Sequence, residues 1–236
     1  MPTVRAETRW FRLPAAWIRD EGLRAFSAAP TRRGRSGAAL KVLIAILARA
    51  ENQRADSAGP LQGSAAVSYD ELMELTDLSR EMVAKGVAML REQKVVTVQP
   101  DPRTRKSRYF VRDYGPKDGF GRLPKGRLFG AGSQSQMRTL YTLSIRNEAD
   151  VNALKLLLMI SALQDGKAQT TYTSYHLINA TTGIPEAKIS AAMSVLFDRL
   201  LVRRRESPHP ETNQPRIHYD LLGLFSGQDP GATTAA

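Results

Sequence analysis

Apolar positions recur along this chain with helical spacing, and they do so twice. Leu40, Leu43, Ile44 and Leu47 stand at i, i+3, i+4 and i+7, predicting a helix over 38–50. Ser68-Tyr69-Asp70-Glu71 has the spacing of a capping box. In that motif the Ser hydroxyl accepts from the N3 amide while the Glu reaches back to the N-cap amide. A second helix therefore runs to about Thr76, Asp77-Leu78 makes a tight turn, and Ser79 is the next N-cap. The third helix continues to about Gln93, burying Val83, Val87 and Leu90. Residues 95–98 and 108–111 are β-type runs separated by Pro100-Asp101-Pro102 and a basic tip, which reads as a hairpin with a long loop.

The second round repeats the first. Ala39-Leu40-Lys41-Val42-Leu43 returns as Ala153-Leu154-Lys155-Leu156-Leu157, and Ser68-Tyr69 as Ser174-Tyr175. Leu78, Val83, Leu90 and Val95-Val96 return as Ile184, Ile189, Leu196 and Leu201-Val202. Even the approach repeats, Arg12-Leu13-Pro14 as Arg122-Leu123-Pro124. The predicted helices are 150–163, one from Ser174 to before Thr182-Gly183, and one begun by Pro185 at N1 and running to about Leu200. Strands follow over 201–205 and 216–221. The offset between copies is 114 in the first helix and 106 from Ser68 onward, which puts an eight-residue insertion in the surface loop read over 51–66.

A repeated unit fixes the domain count. The expected organisation is a flexible amino terminus over 1–9, a first domain over 10–114, a join and second lead-in over 115–149, a second domain over 150–225 and a disordered tail over 226–236. In the first lead-in, Pro14 suits the opening turn of a helix, so 15–24 reads as a short amphipathic helix with Trp17, Ile18 and Leu23 inward. Residues 31–37 read as a basic connector. The glycine-rich join reads as irregular, with a strand over 139–144 pairing with the second hairpin sheet.

Helix, helix, tight turn, helix, hairpin is the order of a winged helix-turn-helix, with Leu78 and Ile184 packing the two helices of each turn. The fold class expected is mainly α with small β-hairpins (α+β), built as two tandem winged helix-turn-helix domains.

Charge gives this scaffold a direction. The chain carries +11, of which +7 lies in residues 1–50, and such a balance argues for a polyanionic partner, nucleic acid first. With no Cys, disulfides, thiolate nucleophiles and Cys-based zinc sites are excluded. No secretory signal is read at the amino terminus, and the longest apolar stretch, 153–163, contains Lys155 and is too short to span a bilayer. The expectation is a cytoplasmic protein without membrane contact.

A helix-turn-helix lays the amino-terminal half of its last helix in the major groove. In the first copy the outward positions are Arg80, Glu81, Ala84 and Lys85, with Ala88 beyond, and Arg80 is placed to read a guanine edge or hold a phosphate. In the second copy they are Glu186, Ala187, Ser190 and Ala191, with Lys188 beside them: small residues with few strong readers. Arg103, Arg105, Lys106 and Arg108 crowd the first hairpin tip. Arg203, Arg204 and Arg205 precede the second tip and Arg216 follows it, with Arg204 on the face opposite its two neighbours. Arg32, Arg33 and Arg35 read either as a third phosphate-binding element or as part of a flexible tail with no structural role. No nucleotide-binding, zinc-protease or calcium-loop motif appears. His209 and His218 flank the second tip, where a phosphate contact or an ordinary surface role outweighs a metal pair. No enzyme activity, cofactor or metal is expected.

These features resemble the plasmid replication initiators of Rep type, which bind repeated sites at an origin. The resemblance covers about residues 10–224 and rests on the tandem winged-helix order, the Leu13-Pro14 segment, the lead-in helix ending near Gly22-Leu23 and the Ala39-Leu40-Lys41 helix. It implies double-stranded DNA as partner, with Arg80 and Lys85 on the first recognition helix and Glu186, Lys188 and Ser190 on the second. Strongly basic recognition helices are common in that family, and the second helix here departs from this. One domain often supports dimerisation there, which adds self-association and host replication proteins as candidate partners. A transcriptional or partition regulator on the same scaffold and a tandem winged-helix interaction adaptor remain the alternatives.

Overall fold

The two echoing Arg-Leu-Pro segments pair with each other. Strand β1, Trp10–Pro14, lies antiparallel to β5, Phe120–Pro124, with Arg12 directly opposite Arg122 and Phe11 opposite Leu123. A segment paired antiparallel with its own repeat, and centred on the equivalent pair Arg12 and Arg122, defines a local two-fold axis between the copies. The computed structural model describes residues 9–53, 63–103, 106–114, 119–130, 135–164, 170–208 and 215–224, with backbone alone for 51–53 and 215–216. Residues 1–8 of the amino-terminal segment and the tail over 226–236, both predicted to be loose, lie outside the described residues.

After β1 come a short helix α1, Ala16–Arg19, a 3-10 turn, Gly22–Ala25, and the long α2, Arg33–Gln53. Then follow β2, Ser64–Val67, α3, Tyr69–Thr76, α4, Arg80–Glu92, β3, Val96–Pro100, and β4, Ser107–Val111. The second copy repeats this after β5: α5, Lys125–Phe129, α6, Arg138–Tyr141, and α7, Glu148–Ala162. It ends with β6, Thr170–Tyr172, α8, Tyr175–Thr182, α9, Glu186–Asp198, β7, Val202–Pro208, and β8, Pro215–Leu221. The described residues thus form a mixed α+β fold with three small antiparallel sheets, in strand orders β1-β5, β2-β4-β3 and β6-β8-β7.

Local chemistry explains the helix boundaries. Ser68 caps α3 and Glu71 closes the capping box, while Asp77 ends the helix in the left-handed region at φ 56°. Ser79 accepts from the Met82 amide at the start of α4. Asn147 caps α7, and Glu148 and Asp150 in its first turn complement the positive helix end. Gly183, at φ 67°, ends α8, and Pro185 sits one residue before α9 as its N-cap rather than inside it.

Several expectations are corrected. Residues 10–14 are a strand, not the approach to a helix, and the predicted 15–24 helix is broken at Asp20 and Glu21, with Glu21 in the left-handed region. The basic connector is largely the first turn of α2. The 51–66 loop contains the end of α2 and strand β2, and residues 54–62 lie outside the description. The join is not irregular: it holds β5, α5 and α6, and the strand predicted over 139–144 is α6 with a turn after it.

One contiguous cluster of buried side chains, from Phe11 to Leu224, takes in both copies. The lead-ins are exchanged across the axis. Arg24 of the first lead-in donates to the Ala180 carbonyl at the end of α8 (2.8 Å). In return, Tyr141 of the second lead-in donates to the Glu74 carbonyl, and the Met137 amide to the Leu75 carbonyl (3.2 Å), both near the end of α3. Arg33 donates to Arg146 O and Arg19 to Ala162 O, again across the copies. Close packing needs small residues here: a Cβ at Gly121 would lie 2.0 Å from the Ser161 carbonyl oxygen of α7, and one at Gly86 would lie 3.0 Å from the Ala38 backbone of α2. No helix among the described residues is long and apolar enough to cross a membrane.

Candidate nucleic-acid interface

In both copies the last helix of the turn is anchored by an apolar inner row, which leaves its outer row to solvent. Val83, Gly86, Val87, Met89 and Leu90 are the buried side of α4, and Ile189, Ala192, Met193 and Leu196 that of α9. Leu78 and Ile184 are buried in the preceding turns, as their places in the pattern predict. Over 80–88 of α4 the exposed side chains are Arg80, Glu81, Ala84, Lys85 and Ala88. Over 186–191 of α9 they are Glu186, Ala187, Lys188, Ser190 and Ala191. Both predicted rows are therefore exposed.

The cations on these rows have weak local partners. Arg80 Nη1 is 3.0 Å from Asp70 Oδ1, and its guanidinium lies over the Tyr69 ring at 5.6 Å. Lys85 pairs with Glu81 one turn back at 2.5 Å, and that bond holds the Glu81 carboxyl below its ordinary range. Lys188 pairs with Glu148 at 3.5 Å. Such exposed pairs contribute little and exchange readily for an incoming anion.

The hairpin cations divide into two groups. Arg103 is exposed at the first tip, and Arg105 lies outside the described residues. Arg108 points back into the sheet: its guanidinium meets Asp101 Oδ2 at 2.6 Å and Ser64 Oγ at 3.1 Å, with 16% of the side chain exposed. Asp101 is buried and also accepts from the Arg103 amide at 2.9 Å, so it ties Arg103 to Arg108. Lys106 donates to both oxygens of Glu71 at 2.9 and 3.0 Å, joining the hairpin to the capping box of α3. Burial raises the Glu71 carboxyl and its hydrogen bonds from Ser68 and Lys106 lower it, with a net shift downward. Arg108 is thus a structural ion-pair partner inside the sheet, and Lys106 is a half-buried tie.

In the second hairpin, Arg203 and Arg205 converge on Asp220, Arg205 through two contacts of 2.5 and 3.1 Å. Arg204 stands on the other face, as alternation predicts, beside Glu206. Arg216 lies in β8 and its side chain is outside the description. His218 is buried between Ser207 Oγ at 3.4 Å and the Tyr172 ring, while His209 is outside the described residues. Among the described residues no group of three His, Asp or Glu is arranged for a metal. Of the three connector arginines, Arg33 is half-buried and donates to Ala28 O and Arg146 O, whereas Arg32 and Arg35 are exposed, Arg35 beside Glu92.

Sequence reasoning missed two features. Asp101 was legible only as a turn residue between prolines. The lysines of the repeated Ala-Leu-Lys segments, Lys41 and Lys155, are both buried, and burial brings each down to about 8. Lys41 Nζ donates to the Thr76 carbonyl at 3.4 Å with Asp77 and Asp150 nearby, whereas Lys155 has the Arg24 cation near it.

No protein-family model, curated protein or solved structure matches this chain.

Proposed function

We propose that this chain is a sequence-specific double-stranded DNA-binding protein built from two winged helix-turn-helix units, acting as a replication initiator that recognises repeated sites at a plasmid-type origin. One observation carries the reading: each copy presents an exposed outer row on the helix after a tight turn, with a basic hairpin beside it, and the two copies are locked around one axis. Two rows fixed to one body suit two successive grooves on one duplex. In this role Arg80 reads a base edge, and Lys85, Arg103, Arg105 and Arg204 hold phosphates. Glu186, Lys188 and Ser190 form a weaker second reader that mainly grips the backbone.

The local two-fold between β1 and β5 favours one further reading, a transcriptional or partition regulator on an inverted repeat, since unlike halves around an axis match a pseudo-palindrome. Footprinting on the DNA that flanks the protein's own gene separates the two. Spaced, directly repeated protections support initiation, and a single protected palindrome at a promoter supports regulation. Binding falls steeply with salt if several phosphates are neutralised. Affinity for every duplex that is flat between low and moderate salt overturns both.

A further inference from the structure

Each tight turn is held in part by the opposite copy. A helix leaves its last four carbonyls without intrahelical donors. In α3 all four are met. The Asp77 amide donates to Met73 O at 2.9 Å, and Lys41 Nζ reaches Thr76 O from α2 at 3.4 Å. The other two donors cross the axis from the second lead-in: the Tyr141 hydroxyl on Glu74 O and the Met137 amide on Leu75 O, the latter at 3.2 Å. Met137 and Leu140 are fully buried, so this donor segment is itself anchored. Burial first, and then the Asp77 and Glu74 carboxylates, push the Tyr141 hydroxyl up, so it stays a donor at neutral pH.

The second copy repeats the arrangement with a different residue. The Gly183 amide donates to Asn179 O at 2.7 Å, as the Asp77 amide does to Met73 O. The Arg24 guanidinium of the first lead-in donates to Ala180 O at 2.8 Å. With the offset of 106 between these parts of the copies, Ala180 is the counterpart of Glu74. Tyr141 and Arg24 therefore hold the same carbonyl in the two copies, each from across the axis. The 3-10 turn that carries Arg24 packs on α8, and a Cβ on Gly183 would lie in ordinary contact with Arg24 Cγ, at 3.5 Å.

These carbonyls stand just before the turns that set the direction of α4 and α9. Asp77 and Gly183 each take the left-handed region there, at φ 56° and 67°. The aim of the following helix then depends on how firmly the end of the preceding one is held. The second lead-in is also tied to its own copy, where Arg199, just past α9, donates to Thr142 O at 2.9 Å. It thus bridges from the end of α9 to the turn before α4. We infer that each exposed row is aimed by the opposite copy's lead-in, with Tyr141 a positioning residue for α4 and Arg24 one for α9. The inference rests on the DNA-binding reading above, and it makes the fit of each row to DNA depend on a residue that lies off both rows.

The test uses the full chain on the footprinted site and on two probes, each with one part of that site replaced by random sequence. The part that Arg80→Ala weakens is the one read by α4. Tyr141→Phe removes only the hydroxyl and should weaken that same part about fivefold, as expected for one hydrogen bond, with the other part within about twofold of wild type. Arg24→Met should do the reverse. Amide exchange of the DNA-free protein adds a readout independent of binding. Exchange should quicken at Asp77, Met82 and Val83 in Tyr141→Phe, and at Gly183, Ile184 and Lys188 in Arg24→Met. Loss that follows the substituted residue's own copy overturns the inference, as does equal loss on both parts. Exchange that quickens everywhere alike also overturns it, since that marks ordinary destabilisation. So does unchanged affinity, whether or not exchange quickens at the turns. A wild type that binds neither part removes the DNA-binding reading, while exchange still decides whether the opposite lead-in holds each turn.

Discussion

Replacing Lys155 by Met is expected to stabilise the protein, and the expected gain can be worked from the burial of its charge. Lys155 is 2% exposed on α7, among side chains that are nearly all buried, and its folded-state pKa is brought down to about 8 from 10.5, first by burial and then by Arg24. A unit of pKa is about 1.4 kcal/mol, so the charged form carries a penalty of about 3 kcal/mol in the fold at pH 7. Because the folded value is the lower one, the unfolded chain holds a proton that the folded chain has released between about pH 8 and 10.5. Stability contributed by this group therefore rises with pH through that window, and its penalty is complete below it. Met has similar length and no charge to bury. Urea unfolding followed by far-ultraviolet circular dichroism should give Lys155→Met about 2–3 kcal/mol over wild type at pH 7, shrinking by most of that amount at pH 10.5. Lys41→Met is the contrast. Lys41 has the Thr76 carbonyl and two nearby carboxylates, so its removal strands partners and gains less or loses. A Lys155→Met variant that is less stable than wild type, or whose advantage is the same at pH 7 and pH 10.5, refutes the reasoning.

Four further outcomes are expected. Arg80→Ala should lower affinity for the footprinted site by about 1–3 kcal/mol while leaving random duplex nearly unchanged, whereas Arg105→Ala should weaken all duplexes alike and flatten the salt dependence; equal losses on both duplexes for Arg80→Ala would remove its base-reading role. Asp101→Ala leaves the Arg108 guanidinium buried without its carboxylate and should cost about 3 kcal/mol in urea unfolding, a loss below about 1 kcal/mol showing that the pair is not structural. Gly121→Ala forces a Cβ into the Ser161 carbonyl and should destabilise by about 3 kcal/mol or more, while Gly126→Ala, where nothing lies within 4 Å, should be neutral or better in the same thermal melts. Ser68→Ala removes half of a capping box and should cost about 1 kcal/mol, with amide exchange in α3 rising before that in α2.

What the sequence made legible was local. The Ser68–Glu71 box, the Asp77 turn and the 3.6-residue rows of α4 and α9 each depend on residues a few positions apart, and each stands where the pattern put it. The lead-in strands were not legible because each finds its partner 106 to 114 positions away, and Pro14 fits a strand end as well as a helix start. Residues 139–144 misled for a related reason. Met137, Leu140 and Leu143 are the buried ones, at three-residue spacing, so the segment turns rather than alternates. At the candidate site the exposed rows were readable from periodicity, but the state of the cations was not. Arg103 and Arg108 look alike in a charge run; only the fold brings Asp101 under one of them. The exposure of Tyr175 and Leu177 was hidden because both pass in sequence for ordinary helix residues.

The axis between the copies separates two kinds of substitution. Positions on it are packed from both sides: Gly37 faces Ile145 and Val151, Gly121 faces Ser161, and Arg12 lies over Phe120 at 4.3 Å while Arg122 lies over Trp10 at 5.1 Å. A change there shifts one copy against the other and so moves both outer rows together. On the outer rows Arg80, Lys85 and Lys188 pair within their own copy, and there the copies have diverged, Arg80 against Glu186 and Glu71 against Leu177. A variant on the axis should therefore alter binding to a two-part DNA site more than to either part alone. A variant on an outer row should alter one part only, and the spacing preferred between the parts should change with the first kind and not with the second.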